Sequence, residues 1–324
     1  MDNETCRNSL SAKLHVTPSR ANFWRRSLSL GAVLTGMGAL AVFATPLFAQ
    51  DAANPAATIA QDAANPAARD TACVTPITAC GCVITKPGVY QIANNLSSSQ
   101  GLTSKSDCLD IKASGVVLDM GSNEIAGPGG SNPDVGIRVL QGSINDTLAG
   151  GATFPLIDGW GVGLLISGKN GVYSNIASSN NAFAGFEIMS GNASANNNKL
   201  IDWDAINDGT FGLWIRSGLN TLLTEGFAAG NTTAGIFVGC SKTGVSGQSC
   251  KGATKSAFTD IIDVETDSNT FGTVLDKGST NNVINDIGAH GNTTDDLFDN
   301  NSSCDSNAWF GNSFGTSSPA SCIH

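Results

Sequence analysis

The chain has 324 residues, 41% of them hydrophobic and 14% charged, and a formal net charge of −10. That length fits one or two domains with room for a buried core. An acidic balance with no basic stripe excludes nucleic acid and anionic membrane surfaces as partners.

Residues 1–49 read as an export signal. Arg20, Arg25 and Arg26 precede an apolar run from Leu28 to Phe48 that closes on Pro46-Leu-Phe-Ala49-Gln50, which places a cut after Ala49. Trp24-Arg25-Arg26-Ser-Leu-Ser-Leu is an imperfect twin-arginine pattern, so general secretion is the simpler route. An uncleaved anchor is the alternative, because the run is nearly long enough to span a bilayer; no later segment is. The chain is expected to be secreted, periplasmic or held at the cell surface, with no membrane contact beyond the signal. Removing residues 1–49 takes away five basic residues and two acids, so 12 basic and 25 acidic residues remain and the mature net charge is −13.

Residues 50–70 contain most of a duplicated Ala-Gln-Asp-Ala-Ala-Asn-Pro-Ala-Ala unit, begun at Ala49 and again at Ala60. Ala, Pro and Asp without large apolar side chains cannot bury a core, so this is a flexible linker. A single folded domain is expected over 71–324. Within it, 71–125 forms the N-terminal cap and first coils. Strand-like sequence starts at Cys82-Val-Ile and continues through Cys108-Leu-Asp-Ile111 and Gly115-Val-Val-Leu-Asp-Met120.

From Gly136 onward one phrase, Gly followed by apolar-any-apolar, returns at Gly163, Gly185, Gly212, Gly235 and, more weakly, Gly272, at spacings of 27, 22, 27, 23 and 37 residues. Such a period marks a stacked repeat whose units cannot bury their apolar faces alone. The units lack helical periodicity and offer short apolar alternations separated by Gly, Asn and Ser. About 22 residues suit one coil of a parallel β-helix, with three short strands and three turns; the Leu and Asn framework of a leucine-rich repeat is missing. Asn170, Asn198, Asn220 and Asn281 each precede an apolar residue by two and are expected at tight corners, where Asn tolerates the left-handed conformation and its amide can bond to the coil above. The long 37-residue spacing is explained by a looped-out excursion over 240–257, and a closing cap is expected over 293–324.

Cys73, Cys80, Cys82, Cys108, Cys240, Cys250, Cys304 and Cys322 form an even set of eight in the mature chain and read as disulfides. Proximity pairs Cys240 with Cys250 and Cys304 with Cys322; the pairing of the other four is open. No metal site is expected. Cys80-Gly-Cys82 lacks the gap of a zinc knuckle, and the mature chain has only His290 and His324.

Cys108-Leu-Asp-Ile-Lys-Ala-Ser-Gly-Val-Val-Leu-Asp-Met-Gly-Ser-Asn-Glu-Ile125, the Gly-apolar phrases, and the ending Asp296-Leu-Phe-Asp-Asn, Cys304-Asp-Ser-Asn-Ala-Trp, Asn312-Ser-Phe-Gly and Cys322-Ile resemble exported bacterial right-handed parallel β-helix proteins of the pectate-lyase-like superfamily, grouped with NosD-like and carbohydrate-binding or sugar-hydrolase repeats. The resemblance implies an all-β, right-handed parallel β-helix with disulfide-bonded caps, over about residues 73–324. It is specific for fold and weak for function, since the superfamily holds lyases, hydrolases, epimerases and adhesins. Of the superfamily's hydrolase motifs, Gly288-Ala-His290-Gly291 and Asp295-Asp296 have a superficial likeness but sit near the closing cap, and the Asn-Thr-Asp motif is missing. The lyases' calcium-held carboxylates and basic residue point to Asp202, Asp204 and Asp260 as catalytic candidates with Arg216 as base, and to calcium as the one conceivable cofactor.

Alternation within the Gly phrase gives a second candidate site. With Ile137, Leu164, Phe186, Leu213 and Ile236 pointing inward, Arg138, Leu165, Glu187, Trp214 and Phe237 form an outward column, and Met189 and Arg216 the next. If open, Arg138, Glu187, Trp214, Arg216 and Phe237 make a sugar-binding groove; if a loop folds over them, they are a second core. The reading is a binding or surface-interaction role towards polysaccharide or envelope glycan. The alternatives are a polysaccharide lyase, hydrolase or epimerase, and a structural envelope protein.

Overall fold

A computed structural model of the chain describes residues 71–99, 107–130, 134–189, 195–239, 256–301 and 303–324. The signal, the linker and the Cys240–Cys250 pair lie outside the described residues. Every paired strand is parallel to its neighbour, and the coils stack into two long sheets of ten and thirteen strands. The first sheet holds the Gly phrases, from Cys82–Ile84 through Ala184–Ile188, Phe211–Ile215 and Ala234–Val238 to Ser317–Ser318. The second holds the eight-residue strands Val172–Ser179, Lys199–Ile206, Leu222–Ala229, Asp260–Asp267 and Val283–His290. The expected parallel β-helix is therefore the fold, and no helix among the described residues is long and apolar enough to cross a membrane.

Three left-handed residues per coil turn the chain. One stands at the corner leaving the first sheet (Asn170, Asn197, Asn220), one bends each long strand at its middle (Asn175, Asp202, Glu225, Asp263, Asp286), and one precedes the return corner (Asn180, Asn207, Gly230, Ser268, Gly291). The long strands are thus two short strands hinged at that middle residue, which recovers three strands per coil. Only Asn, Asp and Gly visit this conformation at little cost, which explains the asparagine-rich composition.

Inside, Ile137, Leu164, Phe186, Leu213 and Ile236 stack in register and are buried, continuous with Trp203, Tyr173 and Ile261 from the second sheet. The phrase demands glycine because the coils touch there. A Cβ on Gly212 would lie 2.7 Å from both the Gly235 carbonyl oxygen and the Asn231 side-chain amide.

That amide belongs to a buried ladder. The backbone N–H of Trp160 donates to Asn181 Oδ1, Asn181 N–H to Asp208, Asp208 N–H to Asn231, Asn231 N–H to Asn269 and Asn269 N–H to Asn292, all at 2.9–3.0 Å. The Nδ2 groups of Asn181, Asn231 and Asn269 each donate to a strand carbonyl, Ile157, Ala205 and Ala228 respectively. At the end Asp296 closes the stack, accepting from Asn292 and from the backbone N–H groups of Gly315 and Thr316.

The caps carry the disulfides. Cys304 and Cys322 are joined as proximity suggested, and the open connectivity is Cys73 with Cys82 and Cys80 with Cys108. The second N-terminal bridge ties the approach to Cys82–Ile84 onto the next strand of the sheet, Leu109–Ile111, with which it pairs. The excursion expected over 240–257 lies outside the described residues up to 255; at Ser256 the coil is in place, its Oγ donating to the Ile215 carbonyl, and Ala257 bridges Leu219 and Thr280.

Candidate ligand-binding groove

The corner leaving the first sheet carries a second, exposed amide ladder. Asn170 Nδ2 donates to Asn145 Oδ1 at 3.2 Å, Asn197 to Asn170 at 2.9 Å and Asn220 to Asn197 at 3.1 Å. The rung is Asn197, not the expected Asn198. One residue further on, Asn198 is buried and works inward, accepting from Gly171 N–H and donating to the Gly168 carbonyl.

On the next coil the ladder breaks. The position after Asn220 is Phe258, in the same left-handed conformation (φ 55°) and 53% exposed. Among the described residues it is held there by backbone bonds, its own N–H reaching the Thr280 carbonyl while Asn220 N–H reaches Ala257. A bulky side chain in this region is strained by about 1–3 kcal/mol, and such strain persists where the surroundings impose it. Asn281 follows, again left-handed, with its amide turned aside to Thr280 Oγ1 at 3.3 Å. Phe258 therefore separates the amides of Asn220 and Asn281 by two coils, about 10 Å. Among the described residues no donor takes Asn220 Oδ1.

Phe258, Asn220, Thr221, Leu222, Asp260, Asn281 and Val283 line a shallow groove of about 290 Å³. Leu222, Asp260 and Val283 are register partners on adjacent strands, so one exposed carboxylate sits between two apolar neighbours. An aromatic face beside amide and carboxylate groups is the combination that stacks on the C–H face of a ring while bonding its hydroxyls.

The outward column of the first sheet stands in the expected register, with Asp110, Arg138, Leu165, Glu187, Trp214, Phe237 and Val274 paired strand to strand. It is not an open groove. Glu187, Trp214 and Phe237 are fully buried, and Arg138 is 6% exposed. Trp214 packs edge-on against Phe183, lies beside Phe211, stacks under the Arg216 guanidinium and donates its Nε1–H to the Gly239 carbonyl at 2.7 Å. With Phe211, Phe237, Val274 and flanking Phe271 and Phe298 it forms a second apolar core outside the coil. Arg138 pairs with Asp107 at 2.6 Å, and Arg216 stands 3.8 Å from Glu187 and 3.1 Å from the Met189 sulfur. Neutralised charges and interlocked rings are the chemistry of a covered face.

The catalytic candidates do not converge. Asp202 and Asp204 lie on the second sheet and Arg216 follows a strand of the first. Asp202 sits at the left-handed bend, in the column of Glu225, Asp263 and Asp286, whereas Asp260 starts its strand three residues earlier. Burial and then the charge of Asp286 hold the Asp263 carboxyl above the usual range. Among the described residues no three His, Cys, Asp or Glu side chains converge on a metal position. His290 Nε2 meets Ser313 Oγ at 3.3 Å, and Asp296 is occupied in closing the buried ladder.

Phe258 is hard to find in the sequence because the 37-residue spacing between Gly235 and Gly272 interrupts the repeat just before it. Aligned on Asn220-Thr221-Leu222-Leu223 and Asn281-Asn282-Val283-Ile284, the segment Phe258-Thr259-Asp260-Ile261 is the coil in which the corner Asn is replaced.

No protein-family profile and no curated protein sequence matches the chain. Among solved structures it is similar to the enzymatically active domain of bacteriophage CBA120 tailspike protein 2, at 14% identity over 74% of this chain and 41% of that one, with a TM-score of 0.50. The Dettilon tailspike protein (11% identity, 71% of this chain and 53% of that one, TM-score 0.42) and the A-module of an Azotobacter vinelandii mannuronan C-5 epimerase (14%, 66% and 64%, 0.38) are also similar. The chain spans about two fifths of the CBA120 tailspike domain's length. These likenesses are of fold.

Proposed function

We propose that this is an exported β-helix protein that binds polysaccharide, and that the Phe258 groove is where it does so. The carrying observation is the break in the amide ladder. The coil gives up its corner Asn, accepts a left-handed phenylalanine and exposes it between two amides and a carboxylate. A residue chosen only for folding would be Asn, as on the coils either side; an exposed aromatic gains nothing for the solenoid. Export is supported by the disulfides at both caps, which persist in oxidising compartments. Asp260 has no opposing acid or base among the lining residues, so the groove is proposed to bind rather than to cleave.

The test is Phe258→Asn in the purified protein, assayed against a panel of polysaccharides. It should lose glycan binding while gaining about 1 kcal/mol of stability, because the left-handed strain is relieved and the ladder can close. Retained binding would remove the groove from the account.

A further inference from the structure

Resting on the carbohydrate reading of this groove, we infer that its ligand is an uncharged pyranose chain and that uronate polymers are turned away. The three strands bordering Phe258 are Leu222–Ala229, Asp260–Asp267 and Val283–His290. Together they carry Glu225, Asp260, Asp263, Glu265, Asp267 and Asp286, and neither Lys nor Arg. The pairs Thr224 with Ile262 and Ile262 with Asn285 place Glu225, Asp263 and Asp286 in one column, with neighbours about 5 Å apart. That column begins three residues along the strands from Asp260, roughly 10 Å from the groove. Burial first, and then the charge of Asp286, hold the Asp263 carboxyl up.

A neutral ring satisfies what the groove offers. Its C–H face covers Phe258, its hydroxyls donate to the Asp260 carboxylate and Asn220 Oδ1, and a ring or hydroxyl oxygen accepts from Asn281 Nδ2. A uronate brings an acceptor-only carboxylate to a place whose described lining holds no cation; Lys199 stands one strand beyond Leu222, and a chain laid along the strands towards Glu225, Asp263 and Asp286 runs into the carboxylate column. The same surface that keeps an acidic exported protein soluble thus sets the sign of what its groove admits.

The experiment compares neutral hexa-oligosaccharides (glucan, mannan and xylan types) with oligogalacturonate and oligomannuronate by titration calorimetry, at about 20 mM and about 0.5 M salt, with and without calcium. A neutral oligosaccharide should bind with an affinity that salt leaves unchanged. The uronates should bind at least about tenfold more weakly at low salt, with the gap narrowing at high salt. Asp263→Asn with Asp286→Asn should raise uronate affinity and leave the neutral ligand unaffected. Uronate binding as tight as neutral binding, uronate binding that calcium switches on, or a double variant without effect on uronates would overturn the inference. Failure of the groove itself looks different: glycan binding of either charge would survive Phe258→Asn.

Discussion

Asp208 is a carboxyl within the buried ladder of asparagines that Asp296 closes, and replacing it with Asn should flatten the pH dependence of stability. It is 1% exposed, and its Oδ1 accepts from both the N–H and the Nδ2 of Asn181 at 2.9 Å. Its Oδ2 occupies the place where Asn181, Asn231 and Asn269 present an Nδ2 donor to a strand carbonyl, and it has no hydrogen-bond partner among the described residues. The register puts the Ser178 carbonyl opposite, so a protonated Oδ2 completes the rung as an amide would. Burial pushes this carboxyl up to about 8; the bonds from Asn181 pull it down and the charge of Asp158 adds to the rise.

The folded protein then holds a proton that the unfolded chain releases from pH 3.8 upward. This contribution is fully present below the unfolded value and is lost as pH rises towards and through the folded one, at about 1.4 kcal/mol per pH unit. Between pH 5 and pH 8 the loss is roughly 4 kcal/mol, or about 8–16 °C in Tm for a domain of this size. Asp208→Asn keeps the donor at every pH. Asp146, Asp263 and Asp295, which are also shifted upward, are common to both proteins and cancel in the comparison. Thermal melts of wild type and variant at pH 5, 6, 7 and 8, disulfides intact, should diverge steadily, the variant being the more stable at pH 8. Parallel profiles, or a variant less stable at pH 8, would refute the protonated rung.

Asp296 titrates the other way. Burial raises its carboxyl, but the bonds from Asn292, Gly315 and Thr316 outweigh it and the net shift is downward. Its contribution is present above the unfolded value of 3.8 and lost as pH falls through the lower folded one, so acid should loosen the Ser317–Ser318 strand first, read as early amide exchange there. Trp214→Ala should cost about 3–5 kcal/mol, measured by denaturant unfolding, because it empties the second apolar core; an exposed binding residue would cost far less. Glycan binding should be unchanged by a chelator, since Asp260 has no second carboxylate in the groove with which to hold calcium.

Much of the solenoid was legible because a stacked repeat writes its register into spacing. The Gly phrases align the inward column from Ile137 to Ile236, and the structure pairs those residues as the spacing requires. Left-handed corners are legible as asparagines, although the run Asn196-Asn197-Asn198 hides which is the rung: the outward amide and the inward one are neighbours and differ only in where the backbone points them. The Cys304–Cys322 pairing follows from proximity, whereas the N-terminal pairing needed the knowledge that Cys82–Ile84 lies against Leu109–Ile111.

The sites were less legible. Alternation states which way Trp214 and Phe237 leave their own strand, and it was right. What lies beyond that face is a property of other segments, and covering it turned a candidate groove into a core whose charges, Arg138 and Glu187, sit beside Asp107 and Arg216. Asp202 and Arg216 are 14 positions apart in the chain, one on a strand of the second sheet and the other just past a strand of the first, because the coil turns the chain through a corner between them. Phe258 is an unremarked aromatic after the longest interval in the repeat until the stacking places it between Asn220 and Asn281. Local periodicity determines direction and register; exposure is decided by what the rest of the chain brings alongside, and a site is made of exposure.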